Sequence, residues 1–379
     1  MLLRKKRLIV FFVDIVISVI FSIPRAFELL FFRYESSSPE NILLIELWGI
    51  GDLVMLSPLL EVLRNKFPKS KISLLCREHG RIIFDSNPYL DEIIAFDFPW
   101  TSFREKYVIW KWDWSEIYCI LKQLRAKDFD LALSARGDLR DNLLGFLSKA
   151  KRRIGYSWLG GKFFLTENLS NEYENKHRVQ AWLNIADFLG AKTEKIKPSL
   201  FLSKQDQKIA SEFFLANGIL DKDFVIGIHP GAGIKRRCWP LERFAKIAEY
   251  VRDNHQAKIV VFVEPDGYGE NIPITGSWIK ADLPLKEIMA VVNRLDLFIG
   301  NDSGVMHIAN ALDIAGISIF GPGDSKIVGP YRKERSIIIE DPVTCRPCFD
   351  NCKYNDFRCL NQIKVEKVIR AIDDLFLMF

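Results

Sequence analysis

Phe298-Ile299-Gly300-Asn301-Asp302-Ser303-Gly304-Val305-Met306-His307 decides the reading of this chain: an apolar strand ends in small and polar residues that run straight into a helix, Ile308 to Leu312. Small residues let backbone approach a ligand closely, the free N–H groups of the first helical turn point outward, and the helix dipole favours negative charge there. A phosphate would sit well at Ser303-Gly304. Two more segments share this grammar. Val225-Ile226-Gly227-Ile228-His229-Pro230-Gly231-Ala232-Gly233 leads through Lys235, Arg236 and Arg237 to Cys238-Trp239-Pro240 and a helix from Leu241. Near the front, Leu43 to Leu47 runs into Trp48-Gly49-Ile50-Gly51-Asp52 and an apolar-periodic helix. Glycine after a strand often marks only a tight turn, but three such turns in one chain suggest a nucleotide-dependent enzyme.

In order, these segments resemble glycosyltransferase family 9, the heptosyltransferases that extend the inner core of lipopolysaccharide. The resemblance covers most of the chain, from Asn41 to about Ile372. At the front it rests on Asn41-Ile42-Leu43-Leu44-Ile45, Gly49-Ile50-Gly51-Asp52-Leu53-Val54, Ser57-Pro58-Leu59-Leu60 and Phe67-Pro68. Further on it rests on His229-Pro230-Gly231-Ala232 with Trp239-Pro240, Asn301-Asp302-Ser303-Gly304 with His307 and Ala309, and Phe320-Gly321-Pro322. Cys345-Arg346-Pro347-Cys348, followed by Cys352 and Cys359, looks like the family's C-terminal cysteine cluster.

At 379 residues the chain exceeds the usual size of one hydrophobic core, so two domains are expected. With 49% hydrophobic and 27% charged residues it is globular. The 53 basic and 48 acidic residues leave a net charge of +5, too mild to point to nucleic acid. Seven cysteines, an odd number, argue against a full disulfide framework and for a reducing compartment.

Arg4, Lys5, Lys6 and Arg7 precede an apolar run from Leu8 to Ile23 that is shorter than the roughly 20 residues a spanning helix needs. Arg7, Asp14, Ser18, Ser22, Arg25 and Glu28 fall along one helical stripe. This pattern predicts a membrane-attached helix in residues 1–40, lying in the interface, with Pro24 kinking or ending it. A spanning helix and a cleaved signal peptide are the competing readings; no small-x-small cleavage site precedes Pro24.

Strand-like Ile42 to Leu47, helix-like Leu53 to Lys66 and strand-like Lys71 to Cys76 begin a βαβ alternation that continues through Trp114–Ala126, Leu131–Ser134 and Leu139–Lys149. The aromatic stretch Phe98, Trp100, Phe103, Tyr107, Trp110 and Trp112 reads as packing, with a loop over an acceptor site as the other reading. A second alternation follows Val225. The expected division is residues 41–191 as an acceptor-side Rossmann-like domain, 192–207 as linker, 208–362 as a nucleotide-sugar-binding Rossmann-like domain, and 363–379 as a terminal helix. The fold class is therefore α/β, two doubly wound domains facing across a cleft, which is also the family's GT-B fold. In that fold the last helix usually packs back toward the N-terminal domain.

Transfer from a nucleotide-diphosphate sugar needs stabilisation of the departing diphosphate and a base for the acceptor hydroxyl. No Asp-x-Asp for a divalent ion falls in the glycine turns, so backbone N–H groups, a helix dipole and cations must serve. Ser303 and Gly304 form the best cradle, with Gly231 and Lys235 on the second wall. Arg237 is the best cation and stands where the family usually has lysine, a change of reach and fork geometry. The resemblance implies that Asp52 is the base, although a carboxylate at a helix start can equally cap the helix. Gly49 and Gly51 would admit a sugar close to the backbone. By resemblance Asp302 lies near the donor; His307 either supports that loop, touches phosphate or packs in the core. Where the family often has a Gly-Gly turn, this chain reads Val263-Glu264-Pro265-Asp266-Gly267-Tyr268-Gly269-Glu270, leaving Glu270, or alternatively Glu264, as the nucleoside contact. Cys345, Cys348, Cys352 and Cys359 could hold a structural zinc as four thiolates, while disulfides or free thiols are alternatives.

The resemblance implies an inverting transferase with no cofactor required for catalysis. It would move a heptose from ADP-heptose to a lipid-linked saccharide at the cytoplasmic face of the inner membrane, as a peripheral or monotopic protein. A UDP-sugar transferase or epimerase, or a non-catalytic membrane-attached scaffold, are the alternatives.

Overall fold

The computed structural model describes residues 38–101, 108–348, 352–354 and 356–377. Of residues 1–40, expected to hold the membrane-attached helix, residues 1–37 lie outside the described residues. Among the described residues no helix is long and apolar enough to cross a membrane. The chain divides into two compact units, the first holding the described residues up to Trp48 with Leu56–Ile196, the second holding Gly49–Met55 with the chain from Lys197 onward.

The first unit is a six-stranded sheet of β1 (Asn41–Glu46), β2 (Lys71–Cys76), β3 (Glu92–Ala95), β4 (Leu131–Ser134), β5 (Arg152–Gly155) and β6 (Glu167–Asn168), ordered β3-β2-β1-β4-β5-β6. Every pairing is parallel; Leu44 of β1 stands between Leu74 of β2 and Leu133 of β4. The central strands read as continuous apolar runs because helices cover both faces, and β1 is buried from Ile42 onward.

The second unit repeats that plan with β7 (Val225–His229), β8 (Lys258–Phe262), β9 (Ile279–Ala281), β10 (Leu297–Asn301), β11 (Ala315–Ile319) and β12 (Ser336–Ile339). Its order is β12-β11-β10-β7-β8-β9, again all parallel. Counted from its own first strand, each sheet thus has the doubly wound order 3-2-1-4-5-6. Strand order reverses between β1 and β4 and between β7 and β10, and in such sheets ligands bind outside the carboxyl ends of the strands at that reversal.

Three differences from the sequence reading have local causes. Helix Gly304–Ala311 begins four residues before Ile308, because Ser303 takes extended backbone and its hydroxyl accepts from the Met306 N–H, the mark of an N-cap. Helix Lys204–Ala216 starts inside the expected linker, where Ser203 and Asp206 close a reciprocal capping box. Helix Val365–Phe376 sends Val368, Ile372 and Leu375 into one core with Trp239, Ile299 and Ile317 of the second unit, where the reading had sent it back toward the N-terminal domain. Each such side chain contributes roughly 1.5–3 kcal/mol when fully buried.

The aromatic stretch packs in part. Phe96, Phe98, Trp100, Trp112 and Trp114 form a chain of ring contacts 4.5–5.5 Å between centroids. Phe98 is buried, whereas Trp110 and Trp114 are exposed. Phe103 and Tyr107 lie outside the described residues.

Candidate active site

In the second unit, β7 delivers His229 and β10 delivers Asn301 to the carboxyl edge of the sheet, both buried. Asn301 ties two strand-to-helix connections together: its Oδ1 accepts from the Trp239 N–H at 3.0 Å and its Nδ2 donates to the Pro230 carbonyl at 2.7 Å. Trp239 is itself fixed by its indole N–H donating to the Ile363 carbonyl at 3.1 Å. The glycine turn after β7 is thereby held against the start of helix Gly304–Ala311.

Asp302, Ser303 and His307 are all buried beside that helix start. Arg237, half-buried at the end of a short 3-10 turn, places Nη1 3.2 Å from Asp302 Oδ2. Lys235 and Arg236 on the same turn are exposed. The ion pair to Asp302 singles out Arg237 among the three. An anion here would meet the N-terminal amides of an eight-residue helix, a serine hydroxyl and a guanidinium already oriented by a carboxylate.

Gly49–Met55 belongs to this unit. A Cβ on Gly51 would come within 2.5 Å of the His307 ring, and one on Gly304 within 2.8 Å of Ile50 Cβ. Glycine at both positions is what lets the front turn pack against the cradle helix, so His307 serves that packing. Asp52 is half-buried and its Oδ2 accepts from the Gly49 N–H at 3.2 Å, the N3-to-N-cap half of a capping box. The capping role is thus realised, and the carboxylate stays at the turn.

Glu264 and Glu270 part company. Glu264 fills the space where a Gly231 side chain would stand, and its Oε1 lies 3.3 Å from His229 Nε2. Glu270 instead accepts from Lys280 Nζ at 2.6 Å, with its side chain 51% exposed, on the β9 edge of the sheet. The structure does not gather it to the cradle.

Cys345, Cys348, Cys352 and Cys359 are free thiols that line one small pocket with Arg236 and Pro322. Burial, then the neighbouring Cys348 thiol, pushes the Cys359 thiol up. Among the described residues no group of three or more His, Cys, Asp or Glu is close enough together to hold a metal ion.

The sequence reading gave no role to a second cluster, at the β1/β4 reversal of the first unit. Arg136 and Arg140 each bring their guanidinium carbon 4.7 Å from the Trp48 ring centroid. Asp138 caps helix Leu139–Leu147 and holds Arg140 through two hydrogen bonds of 2.8 Å. Asp141 is fully buried, and burial first, then the Asp138 carboxylate, pushes its pKa up to about 8. The signal was present: Ser134-Ala135-Arg136-Gly137-Asp138 is a fourth strand–glycine–helix turn, with Gly137 at a φ of +64°. His229 and Asn301 were also quoted only as parts of motifs.

Two doubly wound units, with an anion cradle at the reversal of the second, define a two-Rossmann α/β enzyme of the GT-B type. Residues 117–357 match the model of glycosyltransferase family 9 (heptosyltransferase), and the chain belongs to that family. It is thus a glycosyltransferase. The lipooligosaccharide heptosyltransferase 2 of Campylobacter jejuni is 24% identical over 344 residues, 86% of this chain and 96% of that relative. Among solved structures, a family 9 glycosyltransferase from Veillonella parvula superposes with a TM-score of 0.77 at 24% identity, covering 92% of this chain and all of that one. The E. coli heptosyltransferase WaaC, solved with ADP, gives a TM-score of 0.67 at 17% identity, covering 88% and 99%. These two likenesses are likenesses of fold.

Proposed function

We propose that this glycosyltransferase moves a heptose from ADP-heptose to a lipid-linked saccharide of the lipopolysaccharide core, with inversion and without a catalytic metal. The observation that carries the reading is the buried Asp302-Ser303 step at the start of helix Gly304–Ala311, with Arg237 fixed 3.2 Å from Asp302. Relatives named as lipopolysaccharide or lipooligosaccharide heptosyltransferases support the donor and acceptor class.

The chemistry is a single displacement. The acceptor hydroxyl oxygen bonds to the anomeric carbon, the bond from that carbon to the phosphate oxygen breaks, and its electron pair leaves with ADP. Asp52 takes the hydroxyl proton, giving up its hold on the Gly49 amide as substrate enters. The Ser303 hydroxyl, the amides from Gly304 onward and Arg237 stabilise the charge that develops on the diphosphate. Gly49 and Gly51 keep the front turn free of side chains that would block a sugar.

In this reading the N-terminal segment attaches the enzyme to the inner membrane's cytoplasmic face, where lipid acceptor and soluble donor meet. The four C-terminal thiols share one pocket but are not gathered closely enough to hold a metal ion, so a structural zinc there would require them to draw together, which metal analysis of the purified protein tests directly.

Calorimetric titration of the full chain with ADP, UDP, GDP and CDP, with and without EDTA, tests the donor. The expected result is preference for ADP that survives EDTA, followed by transfer from ADP-heptose. Preference for UDP would move the function to another sugar on the same fold, and loss of binding in EDTA would remove the metal-free mechanism.

A further inference from the structure

A continuous line of polar atoms runs through the buried carboxyl edge of the second sheet. Glu264 Oε1 lies 3.3 Å from His229 Nε2, and His229 Nδ1 lies 3.2 Å from Ser303 Oγ. The same Oγ caps helix Gly304–Ala311 by accepting from the Met306 N–H at 3.4 Å. His229 is 3% exposed and Ser303 7%, so water is not the ordinary partner of either. Glu264 can reach His229 because residue 231 is glycine: a Cβ there would occupy the carboxylate's place.

With Glu264 ionised, the donor and acceptor count of this line has two solutions. A hydroxyl has one hydrogen and two lone pairs, and the Met306 N–H uses one lone pair. A carboxylate only accepts, so His229 Nε2 must carry a hydrogen toward Glu264. If the imidazole is neutral, Nδ1 is then a bare acceptor, and the Ser303 hydrogen is consumed in bonding to it. The hydroxyl shows only lone-pair density outward, which repels a phosphate oxygen. If the imidazole is protonated, Nδ1–H donates into the second lone pair of Ser303, and the hydroxyl hydrogen is released to donate to an anion.

We propose that Glu264, His229 and Ser303 form a proton-coupled switch in the donor site, in which binding of a nucleoside diphosphate selects protonated His229 and takes up a proton. The inference rests on the reading that the donor diphosphate occupies the cradle. Glu264 and His229 are positioning residues: they set which way the Ser303 hydroxyl points. Glu264 balances the imidazolium charge, so the switch adds a correctly aimed donor together with a compensated charge. The other charged groups around the line are accounted for. Asp302, next to Ser303, is paired with Arg237; Glu264, Tyr268 and Asp266 all act on the Cys238 thiol; His307 lies one turn further along the cradle helix.

The test is calorimetry of the full chain with ADP-glucose, whose diphosphate diester has no proton to lose near neutral pH, repeated in two buffers of different ionisation enthalpy. The expected result is a buffer-dependent enthalpy corresponding to uptake of up to one proton. Affinity should then fall by up to about tenfold per pH unit where the free imidazole is neutral. Glu264→Gln should shift that pH dependence to lower pH, and Ser303→Ala should bind more weakly with no uptake. Binding of ADP-glucose with the same enthalpy in both buffers and a flat pH profile overturns the switch and leaves the donor site standing. Failure of both ADP and ADP-glucose to bind overturns the donor site, and the switch with it.

Discussion

The two sheets reverse strand order at equivalent places, yet the two reversals carry different chemistry. At β7/β10 the polar groups are few and oriented: one helix start, one serine, one asparagine, two histidines and one Arg–Asp pair. At β1/β4 two guanidiniums lie against the Trp48 ring and two carboxyls crowd beneath them, one fully buried. In the second unit an anion would meet the dipole of a helix start and one oriented guanidinium. In the first unit side-chain charge dominates and is set by mutual compensation. A shared topology thus fixes where a ligand meets each sheet, while the residues in two short turns fix what each edge can do.

The largest expected effect sharpens that division at the front turn. Asp52→Ala should lower turnover by about 10²–10⁴-fold, the usual weight of a general base, while ADP affinity stays within a few-fold. Rate and binding are to be measured on the same preparation, and turnover retained in this variant would end the assignment of Asp52 as base. Next comes Arg237. Removing a charge-assisted partner from a buried carboxylate and from the incoming diphosphate should weaken ADP binding by about ten- to a hundredfold in Arg237→Ala. Arg237→Lys, with the charge kept but the fork lost, should fall between, as read by calorimetry. Equal binding by all three would mean that the helix start works without a side-chain cation.

The first unit makes a contrasting prediction about pH. Asp141 in the folded protein has its pKa pushed up to about 8, against about 4 for an ordinary aspartate. Between those values the folded state binds a proton that the unfolded state has lost. Stability present below pH 4 is therefore given up as pH rises toward 8. Asp141→Asn removes the titrating group and keeps the shape. It should leave the melting temperature nearly unchanged near pH 4 and raise it by several degrees at pH 8. A melting curve that shifts equally at both pH values would mean that Asp141 does not hold this proton.

Much of this architecture could be read from sequence, and the gaps have physical causes. Strands β1, β4, β7, β8, β10 and β11 announce themselves as apolar runs because both of their faces are covered. Strands β3, β5, β6, β9 and β12 did not, being two to four residues long and carrying charges such as Arg152 and Glu167, which pair with each other. Ser303, Gly304 and Arg237 were legible because a helix start and a nearby cation are local features. The Glu264–His229–Ser303 line was not, since its members lie 35 and 74 residues from His229 and meet only when β7, β8 and β10 are side by side. The cluster around Trp48 was missed for a similar reason: Arg136 and Asp141 stand about ninety residues from the tryptophan they approach.

The smallest effect is expected at Glu270, and it separates the two carboxylates that the sequence left as rivals for the nucleoside. Glu270 is half in solvent and paired with Lys280 at 2.6 Å, an arrangement that contributes little and is screened by salt. Glu264 sits behind the Gly231 turn and faces His229. Replacing Glu270 by alanine should therefore leave ADP affinity within about twofold, the change that a surface pair of this kind allows. The same replacement at Glu264 would strip a buried histidine of its carboxylate and change how binding depends on pH. If Glu270→Ala instead weakened ADP tenfold with an unchanged pH profile, the nucleoside would have to reach the β9 edge, and the donor site would extend well beyond the β7/β10 reversal.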